Sequence, residues 1–333
     1  MAHSKFHSIA IKHVYNYFPA KKHDNLELSQ LSLEDRQRLV EQVGIRYRYR
    51  AKETSSIFSA FEKATENLIE KVGWEKNEVD LLIVVSQSNQ NLLPSIASQI
   101  QGNLALNHEL LAYDISAGCS GFVNGLFNTF SNLNSLSKSA AKAILCCGDF
   151  SSRLIEEDNL SCLPIFSDAV SATAIEFHPK HSDVSASFMQ ETFGEGSGAI
   201  YTEMIKQKLA MKMNGIDVFA YSSEYVPSNI QALLKLEKLV PSAIDHYILH
   251  QANQIINTSI EKSVGIKTFQ TASSLYDYGN TSSASIPITL SKLNPTKAKA
   301  NYLMSGFGVG FSIASILLQN HPSIPVSMQV GDF

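Results

Sequence analysis

The sequence predicts an α/β fold made of two similar halves. Segments with helical spacing of apolar residues alternate with short, continuously apolar segments, which are typical of strands buried on both faces. A chain of 333 residues is long enough for about two domains. An aliphatic residue and an aspartate precede an apolar strand twice, at Val79-Asp80 and at Ile244-Asp245. This period of about 165 residues is too long for a solenoid and favours two duplicated halves.

Each element follows from its local pattern. In the first half, helices are predicted over residues 56–72, 94–104 and 121–136, and Gly73 ends the first of them. Strands are predicted over residues 79–85, 111–115, 143–147 and 172–177. In the second half, helices are predicted over residues 230–239, 253–264 and 287–293, with strands over 244–249, 300–305 and 311–318. The polar, Gly/Ser-rich stretch 178–200 is predicted to be a connection with some structure. We therefore divide the chain into residues 1–177 and 178–333.

Composition excludes several classes of protein. Apolar residues make up 44% of the chain, charged residues 17%, and the net charge is −4, which fits neither a disordered chain nor a basic nucleic-acid binder. Apolar runs such as 81–85 are far shorter than the ~20 residues that a membrane span needs. Residues 1–25 lack a secretory signal. We expect a cytoplasmic protein with no nucleic-acid or membrane partner.

The four cysteines are too few for a disulfide scaffold, and no C-x-x-C pair indicates a structural metal site. Cys119 lies between a predicted strand and a predicted helix, among small residues. A thiol at a helix N-terminus is expected to have a lowered pKa, so Cys119 is either a nucleophile or a small core residue. Cys146 and Cys147 are predicted to fill a buried strand, and Cys162 has no assigned role.

Three further segments have the composition of a site. His250 ends a predicted buried strand, where α/β folds place their sites, although a hydrogen-bonded core histidine fits equally. Asn280 follows Gly279 and precedes a Ser/Ala run, a pattern that is also common in turns and helix caps. The glycine-rich stretch 305–310 lacks the features of a nucleotide loop, and its backbone N–H groups could instead bind an oxyanion.

Taken together, these motifs resemble the β-ketoacyl-acyl carrier protein synthase III family of the thiolase superfamily. The resemblance extends from about residue 40 to 319. It rests on Cys119 and on five stretches: 44–48 (GIRYR), 166–169 (FSDA), 250–253 (HQAN), 279–285 (GNTSSAS) and 307–311 (FGVGF). It implies a thiolase-like fold with two pseudo-duplicated α/β halves in five layers (αβαβα), and a homodimer.

The resemblance also implies an acyltransferase mechanism. Cys119 would accept an acyl group from a thioester, with the backbone N–H groups of Cys119 and Val309 as the oxyanion hole. His250 and Asn280 would then donate hydrogen bonds to the carbonyl of a malonyl thioester during decarboxylative Claisen condensation. Phe307 would shield the sulfur from water. No permanent cofactor is implied, only an acyl-CoA or acyl carrier protein substrate.

Departures from the family concern the substrate. The family binds coenzyme A through a Trp and several Arg residues, and we align those positions with Arg38, Gln42, Leu160 and Ile255. Because the usual coenzyme A contacts are then missing, a carrier protein or an unusual CoA ester is favoured as the donor. Leu93 aligns with the Phe that the partner subunit usually inserts as a tunnel gate, so a different acyl chain is expected. Because a carrier protein is acidic, a basic docking face is needed. The candidates, which equally suit a solvated helix face, are Lys206, Lys208, Lys212, Lys235, Lys238 and Lys262.

Other functions stay open at this point. A non-decarboxylative acyltransferase could use the same triad, with His250 as general base and an amine or alcohol as acceptor. A papain-like protease has the same Cys–His–Asn order, but Cys119 lies far from the N-terminus and no Trp or Tyr follows it. The intact triad argues against a non-catalytic partner subunit.

Overall fold

The structure is a computed structural model that describes residues 1–205, 207–294 and 296–332. Its α-helices are α1 (Leu33–Val43), α2 (Ile57–Val72), α3 (Ile96–Asn103), α4 (Gly121–Ser135), α5 (Gly215–Leu236), α6 (Gln254–Val264), α7 (Leu275–Tyr278) and α8 (Ser285–Thr289). Its strands are β1 (Ala2–His7), β2 (Ile9–Pro19), β3 (Lys22–Asp24), β4 (Tyr47–Tyr49), β5 (Leu81–Val85), β6 (Leu111–Ile115), β7 (Ala141–Asp149), β8 (Ala169–Phe177), β9 (Ser185–Thr192), β10 (Ile200–Ile205), β11 (Lys208–Met213), β12 (His246–Leu249), β13 (Lys299–Gly308), β14 (Ser312–Pro322) and β15 (Val326–Gly331).

Two large mixed sheets form the framework. The N-terminal sheet has the order β15-β2-β8-β7-β5-β6, and the C-terminal sheet has the order β1-β9-β14-β13-β12. Two small antiparallel pairs, β3–β4 and β10–β11, lie outside them. In both large sheets the parallel strands carry the loops in which the sequence motifs lie: β5 runs parallel to β6 and β7, and β12 runs parallel to β13.

The side chains of the two sheets define five layers. On β5, Leu82 and Val84 pack with α2 and α3, whereas Leu81 and Ile83 pack with α4 on the other face. The α4 cluster also contains residues of β13 and β14, so α4 lies between the sheets. Leu303 and other residues on the outer face of the C-terminal sheet pack with α5 and α6. The predicted αβαβα arrangement is therefore confirmed.

The two halves share the same pattern of aspartate hydrogen bonds at the start of their first parallel strands. The Asp80 carboxylate accepts a hydrogen bond from the backbone N–H of Lys142 on β7 at 2.8 Å, and the Asp80 N–H donates to the Lys142 carbonyl. Asp245 makes the same pair of hydrogen bonds with Asn301 on β13, at 2.8 and 3.0 Å. A lysine four residues before each partner, Lys138 or Lys297, pairs with the same carboxylate. The repeat that the sequence suggests thus has a physical basis.

The terminal strands cross between the halves. β1 pairs with β9 in the C-terminal sheet, and β15 pairs with β2 in the N-terminal sheet. β8 ends at Phe177 and β9 begins at Ser185. The division at 177/178 stays a prediction, and each half supplies one strand to the sheet of the other.

Several elements differ from the predictions. The connection expected over 178–200 contains β9, a strand within the C-terminal sheet, because Ala186 and Phe188 alternate with polar residues. Helix α5 begins at Gly215 instead of residue 230, since Asn214 caps it and Pro227 is accommodated in its interior. The N-terminal strands β1 and β2 had no sequence prediction. Cys146 and Cys147 are buried in β7, as expected.

Candidate active site

Cys119 lies in the short turn between β6 and α4 and is 5% exposed. The backbone of β13 passes directly over this turn. A Cβ atom on Gly306 would lie 2.9 Å from the Ser120 Cα atom, and one on Gly308 would lie 2.8 Å from the Cys119 Cβ atom. Glycine is therefore needed at both positions, because any side chain would push the cysteine out of place.

His250 follows β12 directly, and the backbone fixes its position, since its N–H donates to the Ser305 carbonyl at 2.8 Å. Its ring Nδ1 forms a 2.7 Å hydrogen bond with the Ser285 hydroxyl at the start of α8. The Gln251 N–H donates to the same Ser285 oxygen at 3.4 Å. With that N–H accepted, the Ser285 hydroxyl can donate to Nδ1, an arrangement in which the His250 proton would lie on Nε2, on the side of the cavity.

Asn280 is held by its backbone and by one side-chain atom. Its N–H donates to the Ile165 carbonyl at 3.0 Å, and its carbonyl accepts from the Ser167 N–H at 2.9 Å. The side-chain Oδ1 accepts from the Ser282 N–H at 2.9 Å, so the amide Nδ2 points away from this turn. Nδ2 lies 3.5 Å from the His250 Nε2 atom. Both side chains thus direct one nitrogen toward the same place.

Two cavities, each of about 260 Å³, meet at Cys119. The first, here called the triad cavity, is lined by Cys119, His250, Asn280 and Phe307. The Phe307 ring stands nearly perpendicular to the His250 ring, with 5.3 Å between their centres. The second, here called the carboxylate cavity, is lined by Cys119, Gln87, Asp149, Ser282 and Val309, among others. The predicted triad residues, Phe307 and Val309 are therefore all near the cysteine.

Electrostatics at the cysteine differ from the sequence-based expectation. Burial, together with the negative charge of Asp149, raises the pKa of the Cys119 thiol to about 12. The predicted lowering of this pKa by the helix N-terminus is wrong for the substrate-free site, since burial of the sulfur outweighs the helix dipole. Burial also lowers the pKa of His250 to about 3, so this imidazole is neutral at physiological pH.

Three residues of this site had no sequence-based assignment: Asp149, Ser282 and Ser285. Asp149 ends β7, and its Oδ1 accepts hydrogen bonds from the Gln87 N–H at 2.7 Å and from the Ser86 and Ser88 hydroxyls, each at 3.0 Å. A polar residue at the end of a buried strand was the available signal, as it was for His250. Ser282 and Ser285 lie in the recognised GNTSSAS stretch, but composition alone does not separate them from ordinary turn residues.

Other predicted residues lie farther from the cysteine. Leu93 is 80% exposed on the loop before α3, and it does not line either cavity of its own chain. Arg38 and Gln42 lie on α1, where Arg38 pairs with Glu34 at 2.6 Å. Leu160 and Ile255 are exposed apolar side chains, each next to a residue that lines the triad cavity.

The candidate basic face is mixed in charge. Lys212 lies 3.6 Å from Glu203, and it shares a surface cavity with Glu156 and Asp158. Lys208, Lys235, Lys238 and Lys262 are exposed, whereas Lys206 lies outside the described residues. Within the described ranges, no group of three or more His, Cys, Asp or Glu side chains could hold a metal ion, and no helix has the length and apolar character to cross a membrane.

Comparisons with known proteins give matches along most of the chain. Family models described as 3-oxoacyl-[acyl-carrier-protein] synthase III match residues 113–196 and, for the C-terminal part, 234–320. The chain is 30% identical to a β-ketoacyl-[acyl-carrier-protein] synthase III of Acholeplasma laidlawii, over 91% of this chain and 95% of the relative. It is 28% identical to the corresponding protein of Streptococcus agalactiae, over 93% and 98%. The crystal structure of a 3-oxoacyl-(acyl-carrier protein) synthase from Burkholderia xenovorans superposes with a TM-score of 0.92 at 26% identity, and the match covers 99% of both chains.

Proposed function

Because the chain belongs to the 3-oxoacyl-[acyl-carrier-protein] synthase III family of condensing acyltransferases, we propose that Cys119 is its acyl-carrying nucleophile and that His250 and Asn280 drive the condensation. The observation that carries this proposal is the meeting of all three side chains at the triad cavity. They come from three separate loops, and their convergence has no other evident purpose in the fold.

In the first half-reaction, the Cys119 sulfur attacks the carbonyl carbon of an acyl thioester. The negative charge that develops on the carbonyl oxygen is stabilised by the backbone N–H groups of Cys119 and Val309. The side chain of residue 309 is free to vary because the donor is a backbone group. Collapse of the tetrahedral intermediate expels the donor thiol and leaves an acyl-Cys119 thioester.

In the second half-reaction, a malonyl thioester enters the triad cavity. His250 Nε2–H and Asn280 Nδ2–H both donate hydrogen bonds to its thioester carbonyl. They stabilise the enolate that forms as CO₂ leaves, and the resulting carbanion attacks the acyl-Cys119 carbonyl. Collapse of the tetrahedral intermediate breaks the bond between the acyl carbon and the Cys119 sulfur, which releases the 3-oxoacyl thioester and regenerates Cys119. A histidine with a pKa of about 3 suits this role, because it stays neutral and keeps the Nε2 proton as a fixed donor across the physiological range.

The substrates are an acyl thioester of coenzyme A or of an acyl carrier protein, and no permanently bound cofactor is needed. Exposed Leu160 and Ile255 at the mouth, in place of an arginine clamp, support a donor other than ordinary acetyl-CoA. The homodimer, the insertion of Leu93 of the partner subunit as a gate, the lysine docking face and the cytoplasmic location remain our predictions.

Intact-mass measurement after incubation with a panel of acyl-CoA and acyl carrier protein donors tests the proposal. We expect a single acyl adduct on the wild type and none on Cys119→Ala. The His250→Ala and Asn280→Ala variants should still accept the acyl group but should form no condensation product with malonyl carrier protein. An adduct that survives Cys119→Ala would refute the assignment of the nucleophile.

The alternatives are not favoured. A general base should have a pKa near the operating pH, and that of His250 is about 3, which argues against a non-decarboxylative transfer based on it. The family and the five-layered fold argue against a papain-like protease.

A further inference from the structure

Asp149 is a buried carboxylate, and one of its two oxygens makes no hydrogen bond that would stabilise the fold. It is 3% exposed, and Oδ1 accepts three hydrogen bonds from residues 86–88. Among the described residues, Oδ2 has no hydrogen-bond partner of normal geometry. A buried carboxylate oxygen without a partner costs free energy, so this position calls for a reason other than stability.

A second buried aspartate provides the contrast. Asp168 is also inaccessible to solvent, but both of its oxygens are bonded: Oδ1 accepts from the Ser152 N–H at 2.9 Å, and Oδ2 accepts from the Ser152 hydroxyl at 2.6 Å and the Ala51 N–H at 2.8 Å. It lines neither cavity at the cysteine. Asp168 therefore has a complete structural role, whereas Asp149 presents a free oxygen at the carboxylate cavity.

The surroundings of Asp149 connect it to the nucleophile. Cys119, Asp149 and Ser282 line the same cavity, and the Ser282 side chain lowers the pKa of both the Cys119 thiol and the Asp149 carboxyl. Ser282 has a φ of 52°, a left-handed conformation that serine rarely adopts, and its backbone N–H is bonded to Asn280. The turn is thus held in an unusual conformation on the wall of the carboxylate cavity.

The chemistry of acyl loading supplies the reason. A thiol with a pKa of about 12 is almost entirely protonated at neutral pH, and it must lose its proton to attack a thioester. The neutral His250 ring is a weak acceptor for that proton, since its pKa is about 3 and its Nδ1 is bonded to Ser285. Burial raises the pKa of Asp149 above the ordinary value, which makes it a stronger base than an exposed carboxylate.

We infer that Asp149 is the proton acceptor for acyl loading and that the Ser282 hydroxyl relays the proton. As the Cys119 S–C bond forms, the thiol proton passes to the Ser282 oxygen and the Ser282 proton passes to Asp149 Oδ2. When the tetrahedral intermediate collapses, the bond between the acyl carbon and the donor sulfur breaks. The proton then returns from Asp149 to the departing thiolate, so the step ends with a free donor thiol and an ionised Asp149.

This inference divides the two half-reactions between the two cavities. Asp149 and Ser282 act in loading, and His250 and Asn280 act in condensation. It rests on the proposed function, because it requires Cys119 to be acylated. Within the described residues, the other titratable groups that interact with Asp149 are Cys119 and Cys147, and the segments 86–88 and 282 that contact it are uncharged.

The test compares Asp149→Asn with the wild type in both half-reactions. Loading is followed by rapid-quench intact mass with the acyl-CoA that loads the wild type fastest, from pH 5 to pH 10. Condensation is measured separately, with enzyme brought to full acylation by prolonged incubation and then mixed with malonyl carrier protein. We expect loading to slow by ~10²-fold or more near pH 7 and condensation from the acylated enzyme to keep its rate.

The pH profile separates proton transfer from a structural role. The wild-type loading rate should reach a plateau above the pKa of Asp149. The Asp149→Asn rate should instead rise about tenfold per pH unit, because only the thiolate fraction then reacts. Ser282→Gly, which suits the positive φ and removes the hydroxyl, should give the same profile in a weaker form.

Asp168→Asn is the matched control, since it changes a buried aspartate without touching the cavities. It should lower the thermal unfolding midpoint but leave the shape of the loading profile unchanged. Unchanged loading in Asp149→Asn, or equal losses in both half-reactions with the wild-type profile retained, would overturn the inference and leave the proposed function standing. If Asp149→Asn does not fold, the Ser282→Gly profile decides in the same way. Absence of any adduct on the wild type would overturn both.

Discussion

The hydrogen bond between Ser285 and His250 gives the sharpest prediction about condensation. The Ser285 hydroxyl is fully buried and lies 2.7 Å from His250 Nδ1. In Ser285→Ala, Nδ1 loses this partner, and the nitrogen that carries the proton is no longer fixed. Molecules with the proton on Nδ1 have no donor on Nε2 for the enolate.

The size of the effect follows from two limits. A single intramolecular hydrogen bond contributes about 0.5–1.5 kcal/mol net, so the tautomer preference that it supports is worth up to about tenfold. Complete loss of one oxyanion donor costs ~10²–10³-fold. We therefore expect condensation to slow by about 2- to 10-fold in Ser285→Ala, because the population of rings protonated on Nε2 falls by at most the preference that is lost. Acyl loading should keep its rate, because His250 has no proposed role in that step.

The assay is single-turnover condensation of pre-acylated enzyme with malonyl carrier protein, beside rapid-quench loading. Ser315→Ala is the control: Ser315 is equally buried and donates to the Ser305 hydroxyl at 2.9 Å, away from the His250 ring. This variant should lose stability without a selective loss of condensation. Equal slowing of both half-reactions in Ser285→Ala, or no slowing of condensation, would refute the proposed role of the Nε2 proton.

Two further predictions concern packing and pH. Gly306→Ala should slow acyl loading by more than about tenfold, because the new Cβ atom would lie 2.9 Å from the Ser120 Cα atom and 3.1 Å from the Cys119 carbonyl oxygen. The loading rate is measured by intact mass. Gly198→Ala is the control, since a Cβ atom at position 198 would have no heavy atom within 4 Å. Normal loading in Gly306→Ala would show that the turn can move. Burial lowers the pKa of His321 from 6.5 to about 4 in the folded protein, so the unfolded chain binds the proton at a higher pH than the folded protein does. The contribution of this histidine to the free energy of unfolding is therefore complete above pH 6.5 and should be lost as the pH falls to about 4. Urea unfolding of His321→Asn should show a weaker dependence on pH over this range than the wild type, with the exposed His7→Asn as control; identical slopes would contradict this assignment.

Much of the fold could be predicted where apolar patterning was strong. Helix α2 matches its predicted bounds within one residue because Ser56 caps it and Gly73 adopts the left-handed conformation that ends it. The strands β1 and β9 could not be predicted in the same way. They lie toward one edge of the C-terminal sheet, where polar residues alternate with apolar ones, and their partners are distant in sequence.

The site shows the same limit. Cys119, His250 and Asn280 could be found because they occur in recognisable motifs. The pKa of Cys119 could not be derived from its position at a helix N-terminus, because it depends first on burial and then on the charge of Asp149. Asp149 lies 30 positions later in the chain and is brought close by the strand order β7-β5-β6. Local sequence gives the chemistry of a side chain, whereas its pKa depends on contacts that only the fold creates.

The similar topology of the two halves brings Cys119 and Asn280 close together. In the first half, β6 runs parallel to β5 and leads through a loop to α4, which lies between the sheets. In the second half, Thr271 forms a single parallel bridge beside β12, and the chain then leads through a loop to α8, which packs in the same layer. Cys119 lies just before α4 in the first half, and Asn280 lies before α8 in the second. A Cβ atom on Gly121 at the start of α4 would lie only 3.1 Å from the Ser283 Cβ atom, so the two loops are in direct contact. Corresponding loops of the two halves therefore supply Cys119 and Asn280, the proposed nucleophile and one proposed donor for condensation.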